Sequence, residues 1–144
     1  MRKFLLILLV LVTAACPKSP STDTSLTGAE SPRAAVDAFL NAARAGDLQA
    51  MSSVWGTEKG PVRETLSRDE LEKRQLIMVC HFKADRHRII AQDQADRNEQ
   101  RLRVALTRGS TTKETAFWAV EGPSARWYVV NADLVPVQDF CRSR

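Results

Sequence analysis

Residues 101–107 read Arg-Leu-Arg-Val-Ala-Leu-Thr, in which large apolar side chains at every second position alternate with polar or small ones. Successive side chains of a β-strand point to opposite faces, so this pattern predicts a strand with one dry face and one wet face. Three further segments fit the same plan, at about 86–95, 113–121 and 126–131. Turn-forming residues separate the segments. The second half of the chain is therefore predicted to be a four-stranded antiparallel meander.

The first half of the chain is predicted to be helical. Ser31 and Pro32 begin the first helix, because a serine oxygen can accept from free backbone amides and proline at the first position loses nothing by lacking one. Gly46 ends that helix, and Asp47 can cap a second, short helix. With the helix that follows, three helices precede four strands. This order indicates a segregated α+β domain rather than an alternating α/β one.

The third helix is predicted from a capping box, in which the side chains of Ser67 and Glu70 each satisfy a free backbone amide of the other residue. The helix is expected to end near Val79. Its last turn, Leu-Ile-Met-Val at 76–79, is apolar on every side. We expect such a turn to lie underneath another element.

Three stretches of the chain, taken in order, resemble the nuclear-transport-factor-like (cystatin-like, SnoaL-like) superfamily, and in particular its small bacterial lipoproteins of unknown function. They are Ser-Pro-Arg-Ala-Ala-Val-Asp-Ala-Phe-Leu at 31–40, Ala-Gly-Asp-Leu-Gln-Ala-Met at 45–51 and Arg-Trp-Tyr-Val-Val at 126–130. The resemblance implies a curved sheet folded over the helices into a cone, often with an apolar pocket at the wide end. Members include isomerases, dehydratases, carriers, secretion-machine subunits and scaffolds, so the fold implies no single activity.

The amino terminus resembles a bacterial lipoprotein signal. Arg2 and Lys3 precede an apolar run that leads to Ala14-Ala15-Cys16. The run is much shorter than the roughly 20 residues that a membrane-spanning helix needs, which favours a signal peptide. The resemblance implies that residues 1–15 are removed and that Cys16 is acylated, for example with palmitate. The alternative is an ordinary secretory signal cut near Ala14 or Ala15, which would leave a soluble periplasmic protein with a free Cys16.

The predicted mature chain consists of a lipidated cysteine and flexible tether at 16–30, followed by one domain with a carboxyl-terminal tail at 31–144. The tether is expected because its sequence has one large aliphatic side chain and cannot form a packed element. In the sorting scheme of bacterial lipoproteins, an aspartate after the cysteine favours the inner membrane. Pro17 stands there, so outer-membrane placement facing the periplasm is the default.

The charge distribution argues against nucleic acid as a partner. The chain has 21 basic and 17 acidic residues, interspersed along its length, so no concentrated basic patch for nucleic acid is expected.

An exported chain meets oxidising conditions, and the pair Cys80 and Cys141 is predicted to form a disulfide. The alternative is a buried free Cys80 with an exposed Cys141. No metal-ligand set or cofactor motif appears, so no metal or cofactor is expected.

Catalytic residues are harder to assign. Asp85 and His87 are two apart at the start of a predicted strand and could act together as a base, and Asp93 is a further candidate carboxylate. An isomerase or hydratase would need one of these carboxylates inside an enclosed cavity. The basic residues around Asp85 instead indicate a solvated connection, so we predict a chain without a catalytic site.

Five aromatic residues are candidates for a pocket or a partner contact, although core packing is their commoner fate. They are Trp55, Phe117, Trp118, Trp127 and Tyr128. Because neighbours on a strand face opposite ways, one member of each adjacent pair should point away from the dry interior. The sequence therefore favours a non-catalytic binding or scaffolding domain, held at the membrane by lipid on Cys16, with an envelope protein or a small apolar molecule as partner. A pocket isomerase and a secretion or envelope-complex subunit are the alternatives.

Overall fold

The computed structural model describes residues 27–142. The predicted signal peptide at 1–15, the lipidation site Cys16 and most of the tether lie outside this range, so they stay predictions. No helix within 27–142 is long and apolar enough to cross a membrane.

The described residues contain four α-helices, of which the first three were predicted. The helices are α1 (Pro32–Ala45), α2 (Leu48–Val54), α3 (Arg68–Phe82) and α4 (Gln138–Arg142). The caps predicted for α1 and α2 are in place: Ser31 Oγ accepts from the Ala34 amide at 3.1 Å, and Asp47 Oδ1 accepts from the Ala50 amide at 2.9 Å. At α3 only half of the predicted capping box forms, since Ser67 Oγ accepts from the Glu70 amide but Glu70 Oε1 accepts from Arg74. Gly46 ends α1 in a left-handed conformation with φ of 69°, which a residue without a Cβ adopts readily.

The described strands form a large sheet and a two-stranded hairpin. They are β1 (Gly56–Thr57), β2 (Gly60–Pro61), β3 (Arg86–Asp96), β4 (Glu99–Arg108), β5 (Thr111–Glu121) and β6 (Trp127–Ala132). The large sheet has the order β3-β4-β5-β6, and each pair is antiparallel. The predicted α+β class and four-stranded antiparallel meander are therefore confirmed.

The core lies between α1, α3 and the inner face of the large sheet. Leu102, Val104 and Leu106 are completely buried there, as the alternation in β4 predicts. Each such side chain contributes roughly 1.5–3 kcal/mol to folding by leaving water. From α1, Val36 and Leu40 bury against the same core.

Irregular pairing marks both edge strands of the large sheet. The β3 to β4 register shifts between Ile89 and Ala91 and again near the end of β3. In β6, Val129 pairs with Ala119 and Asn131 pairs with Trp118, so Val130 is an extra, bulged residue. The outer edge of β6 is nevertheless paired, because isolated bridges join it to Ala29 and to Trp55.

The expectation that the end of α3 lies under another element is wrong. Leu76 and Ile77 are 52% and 53% exposed. The side chains of α3 that face the core are instead Gln75, Met78 and Phe82, which are spaced by three and four residues and so lie on one face of the helix. Gln75 can be buried because its amide nitrogen donates to the Leu48 carbonyl at 2.6 Å.

The last residues of the predicted tether belong to the folded domain. Ala29 is buried and exchanges two hydrogen bonds of 2.8 Å with the backbone of Trp127. The Gly28 amide donates to the Ser53 carbonyl at 2.7 Å. The tether boundary predicted at residue 30 is therefore a few residues too late.

A disulfide joins Cys80 in α3 to Cys141 in α4, as predicted, with Cα atoms 5.0 Å apart. Because α4 follows the last strand after only a short connection with a 3-10 turn at Val135–Val137, this bond returns the carboxyl-terminal segment to the helical layer.

Candidate functional site

An apolar pocket of about 160 Å³ lies between the helices and β6. Its walls come from α1, the end of α2, α3, β6 and Leu134 shortly after β6. The lining residues are Phe39, Trp55, Met78, Phe82, Val129, Val130, Asn131, Ala132 and Leu134. The elements meet here because α1 and α3 bury their apolar sides against the inner face of the sheet, next to its last strand.

Aromatic rings shape the inner part of the pocket. The ring centres of Phe39 and Phe82 are 6.1 Å apart in an edge-to-face arrangement. Phe117 does not line the pocket but packs against both, with ring centres 6.0 Å from Phe39 and 4.8 Å from Phe82. Contacts of this kind stabilise the three rings beyond the area they bury. The ring contacts therefore hold Phe39 and Phe82 in place as one wall of the pocket.

The bulge in β6 supplies the other wall. Because Val130 is an extra residue, Val129, Val130 and Asn131 all reach the pocket, which strict alternation would forbid. Asn131 is exposed, so it marks where the pocket meets solvent. Its side-chain oxygen accepts from the Ala132 amide at 2.9 Å, while its amide nitrogen makes no hydrogen bond within the described part of the chain.

The chemistry of the lining is that of a binding site. Apart from the indole N–H of Trp55, the only polar side-chain group among the nine lining residues is the amide of Asn131, and none of the nine is ionisable. Across residues 27–142, no three His, Cys, Asp or Glu side chains come together to hold a metal ion. The pocket can therefore receive an apolar group and offer it one amide donor at the mouth.

The five predicted aromatic residues do not form one site. Trp55 lines the pocket, and Phe117 is fully buried behind it. Trp118 is half-buried on the outer face of the sheet, in a hollow with Arg101 and Arg103. The first aromatic pair thus splits between the two faces, as alternation predicts.

The second aromatic pair also splits between the two faces, as alternation predicts, but its outward member is not exposed to solvent. Trp127 is half-buried against the core. Tyr128 points to the other face, yet it is only 2% exposed because glycines pack against its ring. At Gly56, an added Cβ would come within 2.6 Å of the tyrosine ring. The Tyr128 hydroxyl forms a 2.9 Å hydrogen bond with Thr27 Oγ1.

The candidate catalytic residues lie apart from one another and outside the pocket. Asp85 Oδ2 accepts from the Gly109 amide at 2.7 Å, which makes it a turn residue. His87 does not pair with Asp85. Its Nε2 lies 2.9 Å from Oδ1 of Asp37 in α1. Asp93 is exposed, 3.4 Å from Arg101.

Sequence reasoning missed most of the pocket. The lining residues are scattered along the chain from Phe39 to Leu134, almost a hundred residues apart. The local sequence pattern around each of them indicates only core packing. Met78 belongs to the apolar turn at 76–79, which predicts a covered end of α3 and not a pocket. The terminal Trp-containing strand of the resemblance is the one signal that points to this region, because it corresponds to β6.

No protein-family profile matches the chain. No curated protein matches it either. Among solved structures, the chain is similar to an NTF-2-like protein of unknown function from Shewanella oneidensis MR-1, with 15% identity and a TM-score of 0.41. That likeness covers 68% of this chain and 90% of the other.

Proposed function

We propose that this chain is a non-catalytic binding domain, held at the bacterial envelope by lipid on Cys16, whose pocket takes a small apolar molecule or an apolar side chain of a partner. In this proposal the helices and the sheet form the cone that the resemblance implies, with the pocket at its wide end. The observation that carries the proposal is the lining, which has eight apolar residues and Asn131.

The size of the pocket supports a ligand of about one ring. An engineered cavity of roughly 150 Å³, lined by aliphatic and aromatic side chains, stays dry and binds benzene. The present pocket has a comparable volume of about 160 Å³. A ligand of this size would gain most of its affinity from leaving water, and Asn131 would orient a polar substituent at the mouth.

The same lining argues against the isomerase or hydratase alternative. That chemistry needs a carboxylate or histidine within hydrogen-bond reach of the substrate. Asp85, His87 and Asp93 are each engaged elsewhere, with Gly109, Asp37 and Arg101 respectively. We therefore favour binding without turnover.

The pocket is tested by titrating the full chain with toluene and following the methyl resonances of Met78 and Leu134. We expect saturable shifts in the wild type. Ala132→Leu should abolish them, because the larger side chain fills the pocket. Ala116→Leu is the matched control, since this half-buried alanine lies on the outer face of the same sheet. Shifts that persist in Ala132→Leu, or that are absent from the wild type, contradict the proposal.

The anchor is tested separately with radiolabelled palmitate in a bacterial host. Wild-type chain should incorporate label and sediment with membranes, whereas Cys16→Ala should do neither. The variant Cys80→Ala/Cys141→Ala removes the other two cysteines and should be labelled like the wild type. Equal labelling of Cys16→Ala refutes lipid attachment at that residue.

An envelope-complex subunit is the second candidate, and an exposed apolar surface favours it. Leu76, Ile77 and Val135 are the large apolar side chains most exposed within 27–142. Exposed apolar residues of this kind mark protein contacts when they form a patch. A photo-crosslinking amino acid at Ile77 should trap a discrete partner, and the same probe at exposed Glu72 should not. A folded Ile77 variant that traps nothing in cells argues against this candidate.

A further inference from the structure

Two arginines stand side by side on the outer face of the large sheet. The register of β3 and β4 places Arg86 opposite Thr107 and Arg88 opposite Ala105. Residues that pair directly share a face, and Leu106, between these two β4 residues, points into the core. Both arginine side chains therefore lie on the face that turns away from the helices.

The other two arginines of this face are neutralised, but this pair is not. Arg101 lies 3.4 Å from Asp93, and Arg103 lies 3.9 Å from Glu114. Within 27–142, Arg86 and Arg88 take part in no ion pair and no side-chain hydrogen bond. Positive charge is thus left uncompensated at the beginning of β3.

The two arginines border a surface hollow of about 470 Å³, which we call the arginine hollow. Its lining residues are Arg86, His87, Arg88, Ala105, Thr107 and Thr112. Ala105 and Thr107 form its floor, since they are only 7% and 8% exposed although none of the described helices covers this face. Short side chains between two long cationic ones leave room for a small ligand.

A hydroxyl donor completes the floor. Oγ1 of Thr107 and Oγ1 of Thr112 are 2.9 Å apart, so one hydroxyl donates to the other. Each hydroxyl carries one hydrogen, and the pair uses only one of them. The second hydrogen is available to an acceptor in the hollow.

We propose that the arginine hollow binds a phosphate group. Two guanidinium forks and a hydroxyl supply donors from three directions, which suits a tetrahedral anion with at least three oxygens better than a planar carboxylate with two. Two acids lie near the hollow, and each has a partner: Glu114, opposite Ala105 on β5, is held by Arg103, and Asp37 is held by His87. Free inorganic phosphate and the phosphate of a lipid headgroup offer the same chemistry.

The test uses the full chain in micelles of a neutral detergent, titrated with inorganic phosphate and, separately, with dihexanoyl-phosphatidylglycerol. Backbone resonances of Arg88 and Thr107 report binding. Arg86→Gln and Arg88→Gln should each weaken binding about threefold to tenfold, as expected for an exposed charged contact. Arg63→Gln removes the same charge from an exposed site elsewhere and is the matched control. Glu114→Gln should strengthen binding, because it removes a competing negative charge.

The outcomes separate the two sources. Saturation by inorganic phosphate identifies the free anion as ligand, and saturation by the lipid alone identifies a headgroup. No saturation by either compound overturns the proposal. Equal weakening in Arg63→Gln and Arg88→Gln also overturns it, because the effect would then be one of net charge. These measurements do not depend on the apolar pocket, so either result leaves the toluene titration to be judged by itself.

Discussion

The guanidinium of Arg108 lies 4.6 Å from the centre of the Phe140 ring and also donates a hydrogen bond to the Phe140 carbonyl. The same side chain donates to the carbonyls of Lys83, at 2.8 Å from Nε, and of Cys80, at 3.1 Å. One arginine of β4 therefore satisfies carbonyls at the end of α3 and holds α4 beside them. The cation also complements the negative end of α3.

Replacing Arg108 with methionine should lower the free energy of unfolding by about 1–3 kcal/mol, because the carbonyls of Cys80 and Phe140 lose their donor. Urea unfolding followed by circular dichroism measures the change. Arg103→Met is the control, since its exposed pair with Glu114 should contribute less than about 1 kcal/mol. Equal losses in the two variants would show that Arg108 does not join α3 to α4 in solution.

Removing the disulfide should cost about 4 kcal/mol, because Cys80 and Cys141 are 61 residues apart and the bond restricts the unfolded chain. Cys80→Ala/Cys141→Ala should therefore melt at a lower temperature than the oxidised wild type. A reducing agent should lower the melting temperature of the wild type and leave that of the variant unchanged. Two alkylatable thiols in the unfolded, unreduced wild type would contradict the bond.

Adjacent residues on β5 should respond very differently to truncation. Phe117→Ala should cost about 3–5 kcal/mol, because it leaves a cavity behind Phe39 and Phe82. Trp118→Ala should cost much less, since its side chain is half-buried on the outer face. Thermal unfolding of the two variants gives the comparison. A loss at Trp118 as large as that at Phe117 would mean that the outer face is buried in solution.

The hydrogen bond between Tyr128 and Thr27 should stabilise the start of the domain. Tyr128→Phe and Thr27→Val should each cost about 1 kcal/mol, because each leaves the other hydroxyl without its partner. The double variant should cost less than the sum of the two single losses. Strict additivity in a double-mutant cycle would show that the two hydroxyls do not interact.

The Asp139 carboxyl should make the free energy of unfolding depend on pH. The hydrogen bond from Lys113, with the charge of that lysine, lowers the pKa of the Asp139 carboxyl below its ordinary value of 3.8. A lowered pKa contributes stability that is present above the ordinary value and is lost as pH falls through the lowered one. Asp139→Asn should thus destabilise the chain at pH 7 and make progressively less difference below about pH 4.

Lys113→Met provides the control for this pH dependence. In that background the main cause of the lowered pKa is gone, so the effect of Asp139→Asn should shrink at every pH. Unfolding free energies from pH 2 to pH 7 give the answer. A difference that does not change with pH would mean that the carboxyl titrates alike in the folded and unfolded chains.

Features set by neighbours in sequence were predictable. The caps at Ser31, Asp47 and Ser67 each depend on a residue three positions away, and the alternation in β4 depends on one buried and one solvated face. These local signals were enough for the first three helices and the meander. The disulfide between Cys80 and Cys141 was predicted from the expected compartment and from the number of cysteines.

Features that depend on distant contacts were not predictable. The inward side of α3 depends on the Leu48 carbonyl that receives the Gln75 amide, 27 residues away in sequence. His87 pairs with Asp37, 50 residues away in sequence, rather than with Asp85, which is two residues away. The pocket depends on a bulge at Val130, which adds one residue without any glycine or proline to announce it.

The two edges of the large sheet differ in a way that bears on self-association. A regular, unpaired strand edge is a template on which further chains can add and aggregate. On β6 that edge is already paired with Ala29 and Trp55. On β3 no described segment pairs with the outer edge, which is interrupted by register shifts and carries Arg86 and Arg88. The register shifts and the positive charge of β3 should keep copies of the chain from joining edge to edge.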